Sequence, residues 1–501
     1  MPAGFEFSFT SSPDDAPVSP ETPFRIGIVG DFSGRAGRGS PNVPGMAGDP
    51  GVYRIDIDNM EDVFAEIAPR LCLPVGENAD VSINIEFGEL EDFHPDALLD
   101  RVELFSKLRD LRGRLKSPST FAQAAAELAV GGVSTDTADR PEPTAETPTA
   151  PAGSMLDQLL GGGAVQPVQT GPLVQRSGAI DKLVQAAVGP YVIPLADPRQ
   201  DQCMDQVNAA MAGQLSSILH HPSFQQLEAA WRGVDFLLTG VEMDDPPIRL
   251  YLIDVPKSGL LGASDGESLP LSGALIDRLS GVPGEAPWGL LLGCDTFGSS
   301  DEDVAVLGAM SQLCAHLGAP FIAAGEIPGC SRVTGTPDSA DWGSAPAVGS
   351  SWQALRASDQ AGSLALVAPR FLMRLPYGRL TDPVDGLPFE ELDGATHETF
   401  LWGSGAFLAG ALLGRAYGQC GWAFRAEGVG EIGGLPVCTV QQGGDTEAIP
   451  CAEAWISDRV AEDILSRGLS VAQSIRGRDA VRLELRSLSA TSSRLVGRWR
   501  G

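Results

Sequence analysis

At 501 residues the chain is long enough for two or three domains with sizeable cores, and 43% hydrophobic against 20% charged residues suits a folded protein with some loose connections. A net charge of −30 excludes sequence-independent nucleic-acid binding by the chain as a whole, which needs a basic footprint. The eight cysteines fall mostly in apolar runs without a C-x-x-C pair, no signal-peptide order opens the chain and no apolar run reaches bilayer length, so buried reduced thiols, no zinc framework and a cytoplasmic location are expected.

Residues 5–10 (F-E-F-S-F-T) alternate aromatic and polar side chains like a half-buried strand, but a Ser/Pro/Asp-rich stretch separates them from the next apolar run. Phe5, Phe7 and Phe9 in the tail at 1–23 either join the sheet of another molecule by edge-strand addition or pair within their own domain. Residues 24–29 (F-R-I-G-I-V) predict a buried strand that runs into glycines. That suggests a phosphate loop, yet the lysine of G-x-x-x-x-G-K-[ST] is absent. The phrase I-V-G-D-F-S-G-R at 28–35 instead resembles the opening motif of the small contractile-sheath subunit of bacterial type VI secretion systems, TssB or VipA. Y-R-I-D-I-D-N at 53–59, a helix over 60–68 and I-A-P-R at 67–70 continue that resemblance.

Val81, Ile83, Ile85 and Phe87 fall on one face of a predicted strand buried on one side. Residues 96–115 predict one long helix, with Leu98, Val102, Phe105 and Leu108 at helical spacing and a solvated charged face. From 131 to 153 the chain is rich in Pro, Thr, Glu, Ala and Gly and lacks aromatics, so it cannot bury enough surface to fold. A tether of that size spans about 25 Å on average. Within this loose region S-M-L-D-Q-L-L at 154–160 forms a short amphipathic turn with an N-cap serine, presenting Met155, Leu156, Leu159 and Leu160.

Two amphipathic helices then meet at Pro222. Met211, Leu215, Ile218 and Leu219 line the first; Phe224, Leu227, Trp231, Val234 and Leu238 line the second. His220 and His221 sit at the join, about 100° apart around a helix, so they cannot share a metal as an i, i+4 couple does. Capping or surface roles are expected for them. L-x-x-I-L-H-H-P-x-F-x-x-L-E-x-x-W-R-G at 215–233 resembles the signature of the large sheath subunit of the same systems, TssC or VipB. In some members of that family a segment like 154–160 is bound by the AAA+ unfoldase ClpV, and the resemblance implies that role for Met155, Leu156, Leu159 and Leu160; the alternative is a tether helix that rests on its own domain.

Residues 248–255 predict a buried strand. G-A-S-D-G at 262–266 matches G-x-S-x-G, but Pro256, Lys257, Ser258 and Gly259 intervene between strand and motif, where a nucleophile elbow needs a direct strand-to-serine step. Ser264, with His316 or His397 as base, is the hydrolase alternative. A strand at 288–294, a helix at 301–317 and a strand at 319–324 give the rhythm of an α/β layer, with His316 at the helix end. P-R-F-L-M-R-L-P-Y-G at 369–378, F-L-W-G at 400–403 and a small-residue helix at 406–417 continue the large-subunit resemblance. The Arg-rich tail either docks on an acidic neighbour or is ordinary surface.

The resemblance implies an α/β (mixed α+β) fold of two sheath-type domains, each a sheet packed by helices: a small-subunit part at 24–130, a disordered linker at 131–175 and a large-subunit part at 176–501 that stops short of the family's C-terminal module. It implies a structural subunit without active site, metal or cofactor, which polymerises with copies of itself around an inner tube protein and contacts baseplate and assembly proteins and ClpV. The alternative in that class is a truncated, non-contractile relative that caps, nucleates or regulates assembly.

Overall fold

The computed structural model describes residues 19, 21–38, 50–75, 81–131, 199–261, 273–281, 286–327, 349–392, 397–426, 428–442 and 445–499. The chain forms two compact units, one of Met1–Ser106 with Ala210–Gly501 and the other of Lys107–Ala209.

The larger unit is built on a nine-stranded sheet. Its middle is parallel: β14 (Ser470–Ser474), β8 (Leu364–Ala368), β7 (Phe321–Gly325), β6 (Trp288–Phe297), β1 (Phe24–Gly30) and β5 (Ile248–Asp254). Antiparallel strands flank it, β2 (Gly51–Ile55) at one edge and β15 (Ala480–Leu485) with β11 (Gly428–Gly433) at the other. The order across the sheet is β11-β15-β14-β8-β7-β6-β1-β5-β2. The α/β class is thus as the sequence predicts. The sheet does not follow the sequence boundary, however: β1, from the N-terminal part, lies between β5 and β6 of the C-terminal part, with Ile26 opposite both Leu250 and Leu290. A strand whose seven residues are all buried has no solvent face and must be covered on both sides and paired along both edges.

Alternate residues of the central strands feed two cores. Val29, Leu291, Ala323 and Leu366 point into a cluster with α7 (Gly273–Ser280), α8 (Asp301–Leu317), α9 (Ser350–Ala357) and α11 (Asp458–Ser466). On the opposite face α10 (Ala406–Cys420) lies so close that a Cβ on Gly410 would stand 2.6 Å from Leu292. Its Phe407 packs against α6 (Pro222–Gly240), where a Cβ on Gly233 would fall 2.2 Å from the ring, so the glycine of W-R-G permits the helices to touch. α8 begins on a Ser300 cap and ends on Gly318, with His316 in its last turn.

In the N-terminal part, α1 (Met60–Ile67) ends on Ala68 in the left-handed region, and β3 (Arg70–Val75) pairs with β4 (Val81–Glu86). Ile85 and Phe87 are buried and Ile83 is half-buried while Ser82, Asn84 and Glu86 are exposed, so the predicted alternation holds over 82–87, the Val81 side chain lying outside the described ones. The long helix predicted over 96–115 is two: α2 (Pro95–Arg101) and α3 (Glu103–Lys116), parted where β-branched Val102 leaves helical geometry at φ −80°, ψ 123° and buries its side chain. In the smaller unit, Arg114 pairs with Asp110 and with Glu127 of α4 (Phe121–Gly131), and Arg199 covers the Phe121 ring. α5 (Gln200–Leu219) precedes α6.

The seven cysteines among the described residues are free; Cys314, Cys438 and Cys451 are buried, but Cys420 is exposed, so the expectation of burial holds for only part of the set. Among the described residues no helix is long and apolar enough to cross a membrane.

Candidate functional site

The motif at 215–233 starts with its join. Pro222 opens α6, and His221 caps it by accepting the Ser223 N–H at its Nδ1, 3.2 Å away. His220 turns the other way, with Nδ1 3.1 Å from Ser216 Oγ and Nε2 3.4 Å from Glu391 Oε1. No group of three or more His, Cys, Asp or Glu side chains that could hold a metal ion occurs among the described residues.

α6 buries an apolar stripe, but Glu228 lies within it at 0% exposure. A lone carboxylate there would be prohibitive; it is kept because cations converge on it. Arg232, one turn on, and Arg374, from the second large-subunit motif, each donate Nε to Glu228 Oε1 at 2.8 Å. Arg374 turns its other two nitrogens onto Glu391 in a two-pronged pair of 2.8 and 3.0 Å and stacks 4.0 Å over Tyr377. The Tyr377 N–H donates to Glu391 at 2.7 Å, its hydroxyl accepts from Arg232, and His94 meets its ring edge-on at 4.9 Å. Burial opposes ionisation of Glu391, yet Arg374, His220 and the Tyr377 amide hold its pKa down to about 2. Burial also opposes the Arg374 charge, but Glu228, Tyr377 and Glu391 hold its pKa well above the usual value.

Trp231, beside this network, is the link to the small-subunit motif. Its Nε1 donates to the Phe32 carbonyl at 3.0 Å, and its ring lies 5.5 Å from Phe32 and 4.1 Å from Phe64. The D-F-S-G-R turn is held by carboxylates: Asp31 accepts the Arg35 and Ala36 amides, and Asp254 at the end of β5 accepts the Ser33 amide and Arg35. The amides a phosphate loop would offer are thus spent on the chain's own acids. Burial raises the Asp31 pKa despite those bonds.

A second ion group ties the 369–378 segment to the C-terminal region. Arg370 donates Nε and Nη2 to Glu453 Oε1, and His397 Nε2 lies 2.9 Å from the same oxygen while its ring stacks on Trp402. Burial works against Glu453, but His397 and Arg370 hold its pKa down to about 2. In the C-terminal region Arg482 pairs with Asp458 at 3.0 Å, Arg478 with Glu431, and Arg498 donates to the Leu317 carbonyl, so several arginines of the tail are engaged within the chain.

Phe5, Phe7, Phe9, Met155, Leu156, Leu159, Leu160 and Ser264 lie outside the described residues. The sequence reading missed the Glu228–Arg374–Glu391 network. Its signal was a glutamate within an apolar helical stripe and an arginine between Met373 and Leu375.

The family model described as EvpB/VC_A0108, tail sheath N-terminal domain (VipB), matches residues 201–483, and the model described as Type VI secretion system, VipA, VC_A0107 or Hcp2, matches residues 5–129. The chain is 32% identical over 288 residues to the type VI secretion system sheath protein TssC1 of Pseudomonas aeruginosa PAO1, covering 52% of this chain and 55% of the relative. To TssB1 of the same organism it is 29% identical over 107 residues, 20% of this chain and 59% of the relative. The chain therefore spans little more than half the length of either curated relative. A chain of the anti-feeding prophage baseplate aligns at 16% identity with a TM-score of 0.27, covering 52% of this chain and 50% of that one, a likeness too slight to carry argument. With its model matched over more than half of the residues, this chain belongs to the VipB tail sheath family and carries a VipA-type segment ahead of that part.

Proposed function

We propose that the chain is a structural subunit of a type VI secretion contractile sheath, with its small-subunit and large-subunit parts on one polypeptide, acting in the cytoplasm without catalysis. The observation that carries this reading is the presence of both sheath families in one chain, with strands of both parts in one sheet. The subunit polymerises with its copies around an inner tube protein and meets baseplate and assembly proteins. Contraction draws its energy from the difference between two packings of the same subunit. Edge strand β11 supports strand donation between copies: it is mostly exposed, with Val429 at 59%, and such an edge accepts a further strand through main-chain hydrogen bonds. The alternating Phe5, Phe7 and Phe9 supply that strand.

Negative-stain electron microscopy of the full chain, with and without the inner tube protein, tests the reading: tubes or long filaments are expected, and a strictly monomeric, well-folded protein in both samples counts against it. The apolar face of Met155, Leu156, Leu159 and Leu160 docks into a groove of the unfoldase ClpV. Changing both Leu156→Asp and Leu159→Asp is expected to abolish capture by ClpV while filaments persist; unchanged capture rejects the assignment.

A further inference from the structure

Where β6 ends, the larger unit contains a cavity of about 340 Å³, in the range of small-molecule sites. The carboxyl-terminal end of a parallel sheet is where such sites form in α/β proteins. Ala229 and Ala230 of α6 line it with small side chains, and Phe400, Trp402 and Phe407 give it aromatic walls. Asp295 lines it and is only 7% exposed.

Hydrogen-bond bookkeeping sets the ligand's chemistry. One Asp295 oxygen accepts Gln226 Nε2 at 2.7 Å; the other accepts no hydrogen bond among the described residues. Gln225 Nε2 donates to the Glu398 carbonyl, so each of the two amides has used one N–H and keeps one N–H donor and an oxygen acceptor. The Ser404 hydroxyl donates to the Gly293 carbonyl. Arg370 is matched by Glu453, and Lys257 is matched by Asp303 and donates to the Thr296 carbonyl. The lining therefore offers a carboxylate oxygen and two amide oxygens as acceptors beside two amide N–H donors, and no cation contacts Asp295 among the described residues.

We propose that this cavity binds an alkyl chain ending in a primary ammonium or guanidinium group, with the head group on the unused Asp295 oxygen and the stem along Phe400, Trp402 and Phe407. A multi-donor cation is what such acceptors lack, and aromatic walls suit both the stem and the charge. The head group has two sources, a free amine or guanidine, or a lysine or arginine side chain of a second copy. The site stands independently of the sheath reading. Burial raises the Asp295 pKa to about 6, opposed by Lys257 and Gln226 and reinforced by Asp31 and Asp303, so the carboxylate that holds the cation is lost in mild acid.

The test is calorimetric titration of the full chain with agmatine and with putrescine, using butane-1,4-diol as the uncharged control. Saturable binding of the cations at about pH 8 is expected, weakened at least about tenfold in Asp295→Asn and at about pH 5. Ala229→Leu, which fills the space and leaves the carboxylate, is expected to lose binding as well, so the test does not depend on one variant. No binding of either cation, equal binding of the diol, or undiminished binding by Asp295→Asn overturns the proposal. Titration of assembled protein separates the sources: a site closed by assembly is filled by a side chain of another copy, and one that stays open takes the free cation.

Discussion

Arg374 serves two carboxylates brought together from distant parts of the chain, Glu228 on α6 and Glu391 in the segment after the second large-subunit motif. Arg374→Met leaves Glu228 with Arg232 and Glu391 with His220 and the Tyr377 amide, two buried carboxylates short of the cation they share, so it is expected to cost about 3–5 kcal/mol in equilibrium urea unfolding. A variant replacing Glu228, Arg232, Arg374 and Glu391 together by apolar residues should recover most of that loss; an equally unstable quadruple variant would show that packing, not charge, is what Arg374 supplies. The buried acids act in opposite directions with pH. Glu391 and Glu453 have pKa values lowered from 4.5 to about 2, so the stability they contribute is present above 4.5 and lost as pH falls through 2. Asp295 is raised from 3.8 to about 6, so its contribution is present below 3.8 and lost as pH rises through 6. Ionised Asp295 then costs about 3 kcal/mol at neutral pH. Asp295→Asn is expected to raise the urea midpoint at about pH 8 but not at about pH 3; an equal shift at both would rule out this titration as the cause.

At the scale of elements, β1 is a buried strand bordered on both edges by the C-terminal part. A fragment of residues 176–501 therefore has a gap between β5 and β6, and it is expected to be insoluble alone but soluble when co-expressed with residues 1–130. Soluble, monodisperse 176–501 by itself would contradict this. The sequence identified β1 as a strand because F-R-I-G-I-V has no polar face to expose, but it could not name the neighbours, since pairing register over more than two hundred residues leaves no local trace. It read one helix over 96–115 because the apolar spacing continues through the break: the Val102 N–H still bonds Leu98 although its backbone has turned extended. Helix bounds marked by caps came out closely, as with Ser300 and Gly318 around α8. The candidate site was legible as wording rather than as physics. Glu228, Arg232 and Arg374 stand inside the two large-subunit motifs, but nothing in their spacing shows that they meet.

For the molecule as a whole, the two family segments are not separate bodies on a string, because strands of both build the sheet of the larger unit. One polypeptide fixes their ratio at one to one and makes their meeting intramolecular, at an effective concentration on the order of millimolar. The interleaving also dictates an order of events on the ribosome. β1 is made early, while its neighbours β5 and β6 begin at Ile248 and Trp288. At bacterial elongation rates that interval lasts on the order of ten to fifty seconds, during which an apolar, edge-competent segment has emerged without its mates. Synthesis thus leaves the middle of the sheet waiting for its flanks, and protection of the nascent amino-terminal region decides how much of the chain reaches its native state.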